Sequence, residues 1–295
     1  MTIDTEQQVR GRQIKESDLP AVVELLARKF PLWGRERFNL GLDRLARRAA
    51  PAGYPRFGYM LEHNGTPVGV VLTIFSTRSV NGETKLRCNL SSWCIDEKFS
   101  GSGPFLSASA VRHKEVTYIS ESAAPHTWRL LEAQGFRRFC NGRMITYPAL
   151  TSSQWIGKAR ARWFDANEDY GQDLTQEERD ILIAHQQYGC LAYVVQDEET
   201  AYPFVFLKRR IPRRAFPILE LVYCRSVDDY QRYAGALGLA LLAHGSLSVS
   251  LDADRPNPDL VGSYSQVVMG KYVKGPDLPR LGDLAFSEAV LFGRP

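Results

Sequence analysis

Apolar and polar positions in the first half of the chain predict helices followed by a meander of strands. Apolar residues recur at helical spacing after Ser17-Asp18, a pair that can cap a helix. Farther on, Asn-Gly pairs at Asn64-Gly65, Asn81-Gly82 and Asn141-Gly142 predict tight turns between antiparallel strands. The elements predicted here are a helix after Ser17-Asp18, a helix Glu36–Arg48, the strands Phe57–Glu62, Pro67–Ser76 and Lys85–Ile95, a helix Phe105–Lys114, a strand Val116–Ser120, a helix Pro125–Gln134 and a strand Phe136–Tyr147.

The second half repeats this order of elements. Its predicted strands begin at Cys190, Phe216 and Leu247, which follow Phe57, Leu86 and Val116 by 133, 130 and 131 residues. Such a nearly constant offset predicts an internal duplication. The elements predicted here are a helix Thr175–Gln187 that begins with a Thr175–Glu178 capping box, the hairpin Cys190–Gln196 and Tyr202–Lys208, a strand Phe216–Cys224, a helix Val227–Ala243 and a strand Leu247–Leu251.

The length and charge of the chain agree with two domains of different character. At 295 residues the chain is about twice the ~150 residues typical of one domain. Residues 1–150 hold 21 basic and 14 acidic side chains, a net charge of +7, and residues 151–295 hold 16 and 19, a net charge of −3. The positive half favours an anionic ligand. Its charge is too small for a nucleic-acid-binding domain, whose pI usually exceeds about 9.

Several other classes of protein are excluded by the sequence. The start of the chain lacks the apolar stretch of a signal peptide, and the longest nearly apolar run, Ala234–Ala243, is about half the ~20 residues that a membrane helix needs. The five cysteines never form a C-x-x-C pair, and the five histidines form no H-E-x-x-H pattern. We therefore expect a soluble, cytoplasmic protein with reduced thiols and no metal site.

Two segments of the first half carry candidate chemistry. In the loop Ser91–Phe105, small residues such as Gly101 and Gly103 join a predicted strand to a helix. Backbone N–H groups of such a loop can bind a phosphate, although plain connectors share the pattern. The loop has neither the G-K-[ST] of a Walker loop nor the third glycine of a dinucleotide site. The second segment, Trp128–Phe136, is a short helix ended by Gly135 and followed by an aromatic strand.

Together with the preceding meander, these segments resemble the GNAT superfamily of acyl-CoA N-acyltransferases. Members have a strand ending V-D-P-E-Y, an Arg/Gln-x-x-Gly-x-Gly/Ala loop and a later helix ending Y-E-K-L-G-F. In this chain Ile95-Asp96-Glu97-Lys98-Phe99 is similar to the first motif and Leu131-Glu132-Ala133-Gln134-Gly135-Phe136 to the last. The resemblance covers residues 10–147. The second half agrees only in the order of its elements, as in tandem members with one degenerate copy.

The resemblance implies a fold, a co-substrate and a set of contacts. The fold implied is α/β (an α+β mixed sheet) in two GNAT-like domains, residues 1–148 and 149–295, each a mostly antiparallel sheet with one parallel pair and flanking helices. Acetyl-CoA or another acyl-CoA would bind the first domain, with its pyrophosphate on the loop and its pantetheine arm between two parallel strands. An amine of a small molecule, peptide or sugar would accept the acyl group. The cofactor contacts implied are Trp93, Cys94, Ile95, Gly101, Ser102, Gly103, Phe105 and His126.

The loop and the helix also depart from the family pattern. Ser100 stands where the family has Arg or Gln, Phe105 stands at the last glycine, and Pro104 has no N–H to donate. Leu131 stands at the tyrosine that many members use to protonate the leaving thiolate. A side-chain contact to phosphate and the usual acid are therefore both missing.

Other groups must then supply the proton transfers. Glu121, just past the strand Val116–Ser120, is the preferred base, with Ser122 as the second catalytic candidate; the alternative is that Glu121 is an ordinary exposed acid. Cys94 could instead be a nucleophile, but no His/Asp arrangement supports this, so a buried structural cysteine is favoured. The basic run Lys208–Arg214 is either a solvated loop or a contact for an anion.

Two hypotheses about function follow. The first is an N-acyltransferase, and the second is a CoA-binding or interaction module without catalysis, which the departures at Ser100, Phe105 and Leu131 favour. A nucleic-acid binder rests on the charge of the first half alone and is the weakest reading. We expect neither nucleic acid nor membrane as a partner. A monomer is plausible, because a duplicated chain could replace a dimer.

Overall fold

The computed structural model describes residues 9–80, 82–151, 159–197, 200–209 and 217–293. Its contacts divide the chain into two compact units. Unit 1 comprises Met1–Arg137, Tyr272–Leu278 and Ser287–Gly293, and unit 2 comprises chiefly Arg138–Lys271 and Pro279–Phe286. The strands are β1 Arg10–Gln13, β2 Gly58–His63, β3 Thr66–Val80, β4 Glu83–Ile95, β5 Val116–Ala123, β6 Arg137–Thr146, β7 Arg160–Trp163, β8 Leu191–Gln196, β9 Ala201–Arg209, β10 Ile218–Cys224, β11 Ser248–Ala253 and β12 Gly262–Lys274. The α-helices are α1 Leu19–Lys29, α2 Gly34–Arg47, α3 Gly103–Ala110, α4 Trp128–Ala133, α5 Gln176–Gln187, α6 Val227–Leu242 and α7 Glu288–Leu291.

In unit 1 the strands lie in the order β1-β2-β3-β4-β5, with β4 and β5 parallel and the other neighbours antiparallel. Cys88 of β4 lies in a buried core with Leu106 of α3 and Leu131 of α4. The next residue, Asn89, contacts α7 instead. Because successive strand residues point to opposite faces, α3 and α4 cover one face of the sheet and α7 lies on the other.

The predicted turn at Asn64-Gly65 is confirmed. Both residues have positive φ, +54° and +75°, as the tightest hairpin turns require. The predicted turn at Asn141-Gly142 is wrong, because both residues lie within β6, where Gly142 pairs with Ala253. A Cβ on Gly142 would lie 2.4 Å from the ring of Tyr264, so the glycine admits that ring rather than a turn. Asn81 of the remaining Asn-Gly pair lies outside the described residues.

In unit 2 the strands lie in the order β12-β6-β11-β10-β9-β8-β7, with β10 and β11 parallel. Its core packs α6 against the sheet through residues such as Leu221, Tyr230 and Leu237. The predicted capping box of α5 is confirmed, because the Glu178 amide donates to Thr175 Oγ1 at 3.2 Å and the Thr175 amide to Glu178 Oε2 at 2.9 Å. Of the basic run, residues 210–214 lie outside the described residues.

Four elements had no counterpart among the predicted ones, namely β1, β7, β12 and α7. The last two have the largest consequence, since the end of β12 and the whole of α7 belong to unit 1 although they follow unit 2 in the chain. In unit 1 the Asp277 amide donates to Thr117 Oγ1 of β5 at 3.2 Å. The origin of the two halves as copies of one domain stays a prediction.

Every helix among the described residues is too short or too polar to cross a lipid bilayer. Within the same residues, no group of three or more His, Cys, Asp or Glu side chains could hold a metal ion.

Candidate functional site

A bulge distorts β4 near its end. Between Val70 and Leu72 of β3 the pairing register shifts, so that β4 uses one extra residue. Ser92 in this bulge has a φ of +50°, which residues other than glycine rarely adopt. Strained backbone of this kind persists where the surroundings require it and is common at functional sites. The bulge allows two successive hydroxyls, those of Ser91 and Ser92, to reach the same carboxylate, that of Glu288.

The parallel pair opens beside the bulge. The pairing of β4 with β5 ends at Leu90 and Ser120, although both strands continue beyond these residues. The free ends of the strands are the place where the resemblance implies a pantetheine arm. The candidate site is therefore built around this opening.

A carboxylate lies across the opening. Glu288 Oε1 accepts hydrogen bonds from Ser91 Oγ at 2.9 Å and from Ser92 Oγ at 3.5 Å, on the side of β4. Glu288 Oε2 accepts one from Ser122 Oγ at 2.8 Å, on the side of β5. Glu288 is 5% exposed, whereas Ser122 lies at the surface. These four residues form the serine–glutamate cluster, in which one hydroxyl links a buried carboxylate to the outside.

The segment that carries Glu288 is held on α2. Arg44 Nη1 donates to the backbone carbonyls of Val290 and Leu291, each at 3.0 Å, and of Gly293 at 3.3 Å, which satisfies the end of α7. The ring of Phe292 packs over Gly41, where a Cβ would lie 2.0 Å from it. Since Gly41 and Arg44 lie one turn apart, a single stretch of α2 sets the position of the segment.

Buried polar atoms with no hydrogen-bond partner lie close to the cluster. The Glu288 amide donates to Asn89 Oδ1 at 3.1 Å, but Asn89 Nδ2 has no partner among the described residues. The same holds, within the described chain, for Ser287 Oγ and for the indole N–H of Trp93. Because nearly all buried polar groups in proteins are hydrogen-bonded, these three atoms are candidates to contact a ligand.

The loop after β4 is more closed than the resemblance implies. A 3-10 helix, Glu97–Ser102, leads directly into α3, and the Gly103 amide donates to the Ser100 carbonyl. Since Pro104 has no N–H, neither Gly103 nor Pro104 offers a backbone donor to a phosphate. Gly101 is exposed and Ser102 is half-buried, so these two residues are the accessible part of the predicted loop.

Asp96 anchors the start of this loop. Its carboxylate accepts hydrogen bonds from Arg28 at 2.8 and 3.0 Å and lies 3.0 Å from Lys29 Nζ. The hydrogen bond from Arg28, assisted by Lys29, lowers the pKa of Asp96 against the opposing effect of burial. The two cations of α1 are thus engaged with the protein itself.

Three predicted cofactor contacts lie at the end of β4. Trp93 and Ile95 are half-buried against the core that includes α3. The Trp93 ring is 3.8 Å from the point where a Cβ on Gly103 would lie, so the structure brings these two predicted residues together. Burial raises the pKa of Cys94 to about 12, and its thiol is therefore protonated at neutral pH. This disfavours the alternative in which Cys94 is a nucleophile.

The remaining predicted residues lie in different surroundings. Phe105 is 58% exposed, and its ring covers β1, where a Cβ on Gly11 would lie 2.4 Å from it. His126 is exposed in the 3-10 turn that precedes α4. Glu121 is half-buried on β5, directly before Ser122. Of the two predicted catalytic residues, Ser122 is the one that the structure places in the serine–glutamate cluster.

Glu288, Ser91 and Ser92 were missed by sequence reasoning. Glu288 follows Ser122 by 166 residues and Ser91 by 197 residues. The one local signal is the pair of adjacent serines near the end of the strand Glu83–Ile95, because buried hydroxyls need partners. The sequence near residue 288 contains no motif that identifies Glu288 as the partner of these serines.

Comparisons with known proteins bear on the fold. No protein-family model matches the sequence, and no curated protein matches it either. A GCN5-related N-acetyltransferase from Anabaena variabilis is structurally similar, with a TM-score of 0.60 and 10% identity over 90% of this chain and 72% of that one. One from Kribbella flavida has a TM-score of 0.52 and 12% identity over 90% and 70% of the two chains. A Pyrococcus horikoshii protein has a TM-score of 0.56 and 12% identity over 95% and 94%.

At these identities the likeness shows the fold. The chain has the mixed α/β fold of the GCN5-related N-acetyltransferases, and the predicted fold class is confirmed. Because one fold can host different activities, the function has to be argued from the site itself.

Proposed function

We propose that unit 1 transfers an acyl group from acetyl-CoA, or from another acyl-CoA, to an amine. The observation that carries the proposal is the opening between β4 and β5, next to a strained bulge at Ser92, in a chain with the N-acetyltransferase fold. Three buried polar atoms without partners among the described residues belong to Asn89, which contacts Glu288, to Ser287, which precedes Glu288, and to Trp93, which follows the strained Ser92. An opening lined in this way fits a ligand that carries several amide and carbonyl groups, as a pantetheine arm does.

The two faces of the sheet would receive the two substrates. Trp93 and Gly103 lie together on the face of α3, which would bind the CoA. Asn89 and Ser91 contact Glu288 on the other face, which would bind the amine. An acyl group held at the opening would be within reach of an amine from the far side, and such positioning supplies much of the rate in transfer reactions.

Backbone groups would supply the electrostatic part of catalysis. The bulge interrupts the regular pairing of β4 between Ser91 and Cys94, and a backbone amide from Ser92 to Cys94 would polarise the thioester carbonyl. Gly101 and Ser102 would face the pyrophosphate, because they are the accessible residues at the end of the 3-10 helix. The weaker phosphate site agrees with the departures of the loop from the family pattern.

A second candidate is a CoA-binding module without catalysis. Leu131, at the position of the family tyrosine, is buried in the core and has no proton to donate to a leaving thiolate. This candidate predicts that acetyl-CoA binds but that no thiol is released with any amine. The first candidate predicts release with at least one amine.

Calorimetric titration of the full chain with acetyl-CoA tests the proposal. We expect binding at one site per chain, and a Ser102→Glu substitution should weaken it by about tenfold or more, because it adds a like charge beside the pyrophosphate. Ala108→Glu, which adds the same charge farther along α3 at an exposed position, should leave the affinity unchanged. Absence of acetyl-CoA binding to the unaltered chain would overturn the proposal.

A further inference from the structure

We propose that the C-terminal segment Ser287–Gly293 completes the site of unit 1, and that Glu288 takes the proton of the attacking amine through Ser122. This inference rests on the proposed acyl transfer. It assigns the base to a residue far along the chain from the predicted Glu121. It also gives Ser122 a defined part, that of a relay between a buried carboxylate and the amine.

The first argument is that Ser122 connects the buried carboxylate of Glu288 to the surface. The Glu288 side chain is nearly inaccessible, with 5% of the residue exposed, so an amine in solution cannot reach it directly. Ser122 is exposed, and its hydroxyl donates to Glu288 Oε2 at 2.8 Å. A hydroxyl can accept one proton while it donates another, so this geometry forms a two-step path from the surface to the carboxylate.

The second argument is the nature of the partners that hold Glu288. Its hydrogen-bond donors are neutral hydroxyls, those of Ser91, Ser92 and Ser122, and it takes part in no ion pair within the described chain. A carboxylate bound in this way can accept a proton without leaving a cation unpaired. Asp96 at the start of the loop is different, since it is bound by Arg28 and Lys29.

The third argument is that the segment is positioned from several sides. The Asn89 side chain accepts a hydrogen bond from the Glu288 amide, and Arg44 binds three carbonyls at the end of α7. Gly41 leaves room for Phe292. A catalytic side chain has to be held in position by the residues around it. Arg44 and Asn89 are therefore positioning residues for Glu288.

The proposed step balances in atoms and charge. The nitrogen of a neutral amine forms a bond to the thioester carbonyl carbon, and the carbon–sulfur bond breaks with its electron pair on sulfur. The amine proton passes to Ser122 Oγ while the Ser122 hydroxyl proton passes to Glu288 Oε2. The leaving thiolate takes a proton from solvent, and Glu288 returns its own proton to solvent through Ser122.

The test compares Glu288→Gln with the unaltered chain, using an amine that supports thiol release. We expect kcat to fall by about 100-fold or more, because general-base assistance contributes roughly 10²–10⁴ in rate. Measured with an amine that stays neutral over the whole pH range, the acidic limb of the pH profile should disappear, and the affinity for acetyl-CoA should stay unchanged. Ser122→Ala should also lower kcat, by less, since a water can replace the relay. Glu83→Gln, an exposed carboxylate of the same unit, is the matched control and should leave all three readouts unchanged.

The outcomes separate this inference from the proposed function. If the unaltered chain fails to bind acetyl-CoA, the proposed function itself is wrong. If it turns over and Glu288→Gln keeps both its kcat and its acidic limb, the inference is wrong and the transferase proposal stands. Loss of the acidic limb in Glu121→Gln, but not in Glu288→Gln, would likewise assign the base to Glu121. Should Glu288→Gln not fold, Glu288→Asp keeps the charge but withdraws it from Ser122, and full activity in that variant would contradict the relay.

Discussion

The two units contain the same arrangement around a parallel pair of strands. In unit 1 Leu86 pairs with Val116, and in unit 2 Ile218 pairs with Ser248, so the paired residues are 30 apart in both. In each unit the first strand of the pair is bulged against its antiparallel neighbour. This agreement of spacing and irregularity is what an internal duplication predicts.

The two pairs differ in what binds their buried carboxylates. In unit 1, hydroxyls bind Glu288. In unit 2, Glu220 of β10 accepts a hydrogen bond from Arg209 at 2.6 Å, and Asp252 of β11 one from Lys271 at 2.7 Å. Burial alone would raise the pKa of Glu220, but the charges of Arg209, Lys271 and Arg143 outweigh it and lower the pKa.

This difference in hydrogen-bond partners shows that the same arrangement of strands can have two roles. A carboxylate in a buried ion pair cannot take a proton without leaving its cation unpaired, which is costly. A carboxylate bound by hydroxyls can do so. We therefore expect changes in the parallel pair of unit 2 to affect stability, and changes in that of unit 1 to affect chemistry.

The largest expected effect on stability is at the Asp252–Lys271 pair. Lys271→Met leaves the buried Asp252 carboxylate without its cation and should lower the free energy of unfolding by about 3–5 kcal/mol. Urea unfolding followed by circular dichroism measures this. The double variant Lys271→Met/Asp252→Asn should recover part of the loss, because no charge is then left unpaired. A single variant as stable as the unaltered chain would show that the pair does not serve stability.

A pair of glycine substitutions compares the two units more directly. Gly41→Ala would place a Cβ 2.0 Å from the Phe292 ring in unit 1, and Gly142→Ala would place one 2.4 Å from the Tyr264 ring in unit 2. Each should cost about 1–3 kcal/mol of stability, as overpacking usually does. Only Gly41→Ala should lower kcat as well, because it displaces the segment that carries Glu288. Equal kcat values in the two variants would argue against that role of the segment.

Acid should destabilise both units, and unit 2 the more strongly. The pKa values of Asp96 and Glu220 are lowered in the folded chain, so the unfolded chain takes up protons first as the pH falls. The stability that these groups contribute is present above their unfolded pKa values, near 4, and is lost as the pH falls through the folded values. Urea midpoints between pH 7 and pH 3 should fall less in Glu220→Gln than in Asp96→Asn, because the partner of Asp96, Arg28, is 59% exposed and the pair is screened by solvent. The reverse order would show that Asp96 dominates.

The smallest effect that we expect concerns the reactivity of buried thiols, which should be the same in both units. Burial raises the pKa of Cys94 in unit 1 and of Cys224 in unit 2 to about 12. Neither thiol should react with iodoacetamide at pH 7.5 in the folded chain, whereas both should react in urea, as peptide mass spectrometry can show. Rapid alkylation of Cys94 in the folded chain, together with loss of thiol release, would support a cysteine nucleophile after all.

Much of the fold followed from signals within a few residues of each other. The turn at Asn64-Gly65 and the capping box at Thr175 were predicted from local chemistry and are confirmed. The same kind of signal was wrong at Asn141-Gly142, because the ring of Tyr264, more than a hundred residues away, occupies the space above Gly142. Local signals fail where a contact with a distant residue, rather than a turn, requires the glycine.

The sequence by itself determined most of the succession of helices and strands, though not β1, β7, β12 or α7, together with the fold class and the place of Ser122 and Trp93 near the end of a parallel pair. Only the tertiary structure decided that Glu288 lies at that opening. Its hydroxyl partners are 166 to 197 residues away, and Arg44 is 246 to 249 residues from the carbonyls that it binds at the end of α7. A buried carboxylate needs donors that satisfy its oxygens, and such donors come together only when the whole chain has folded.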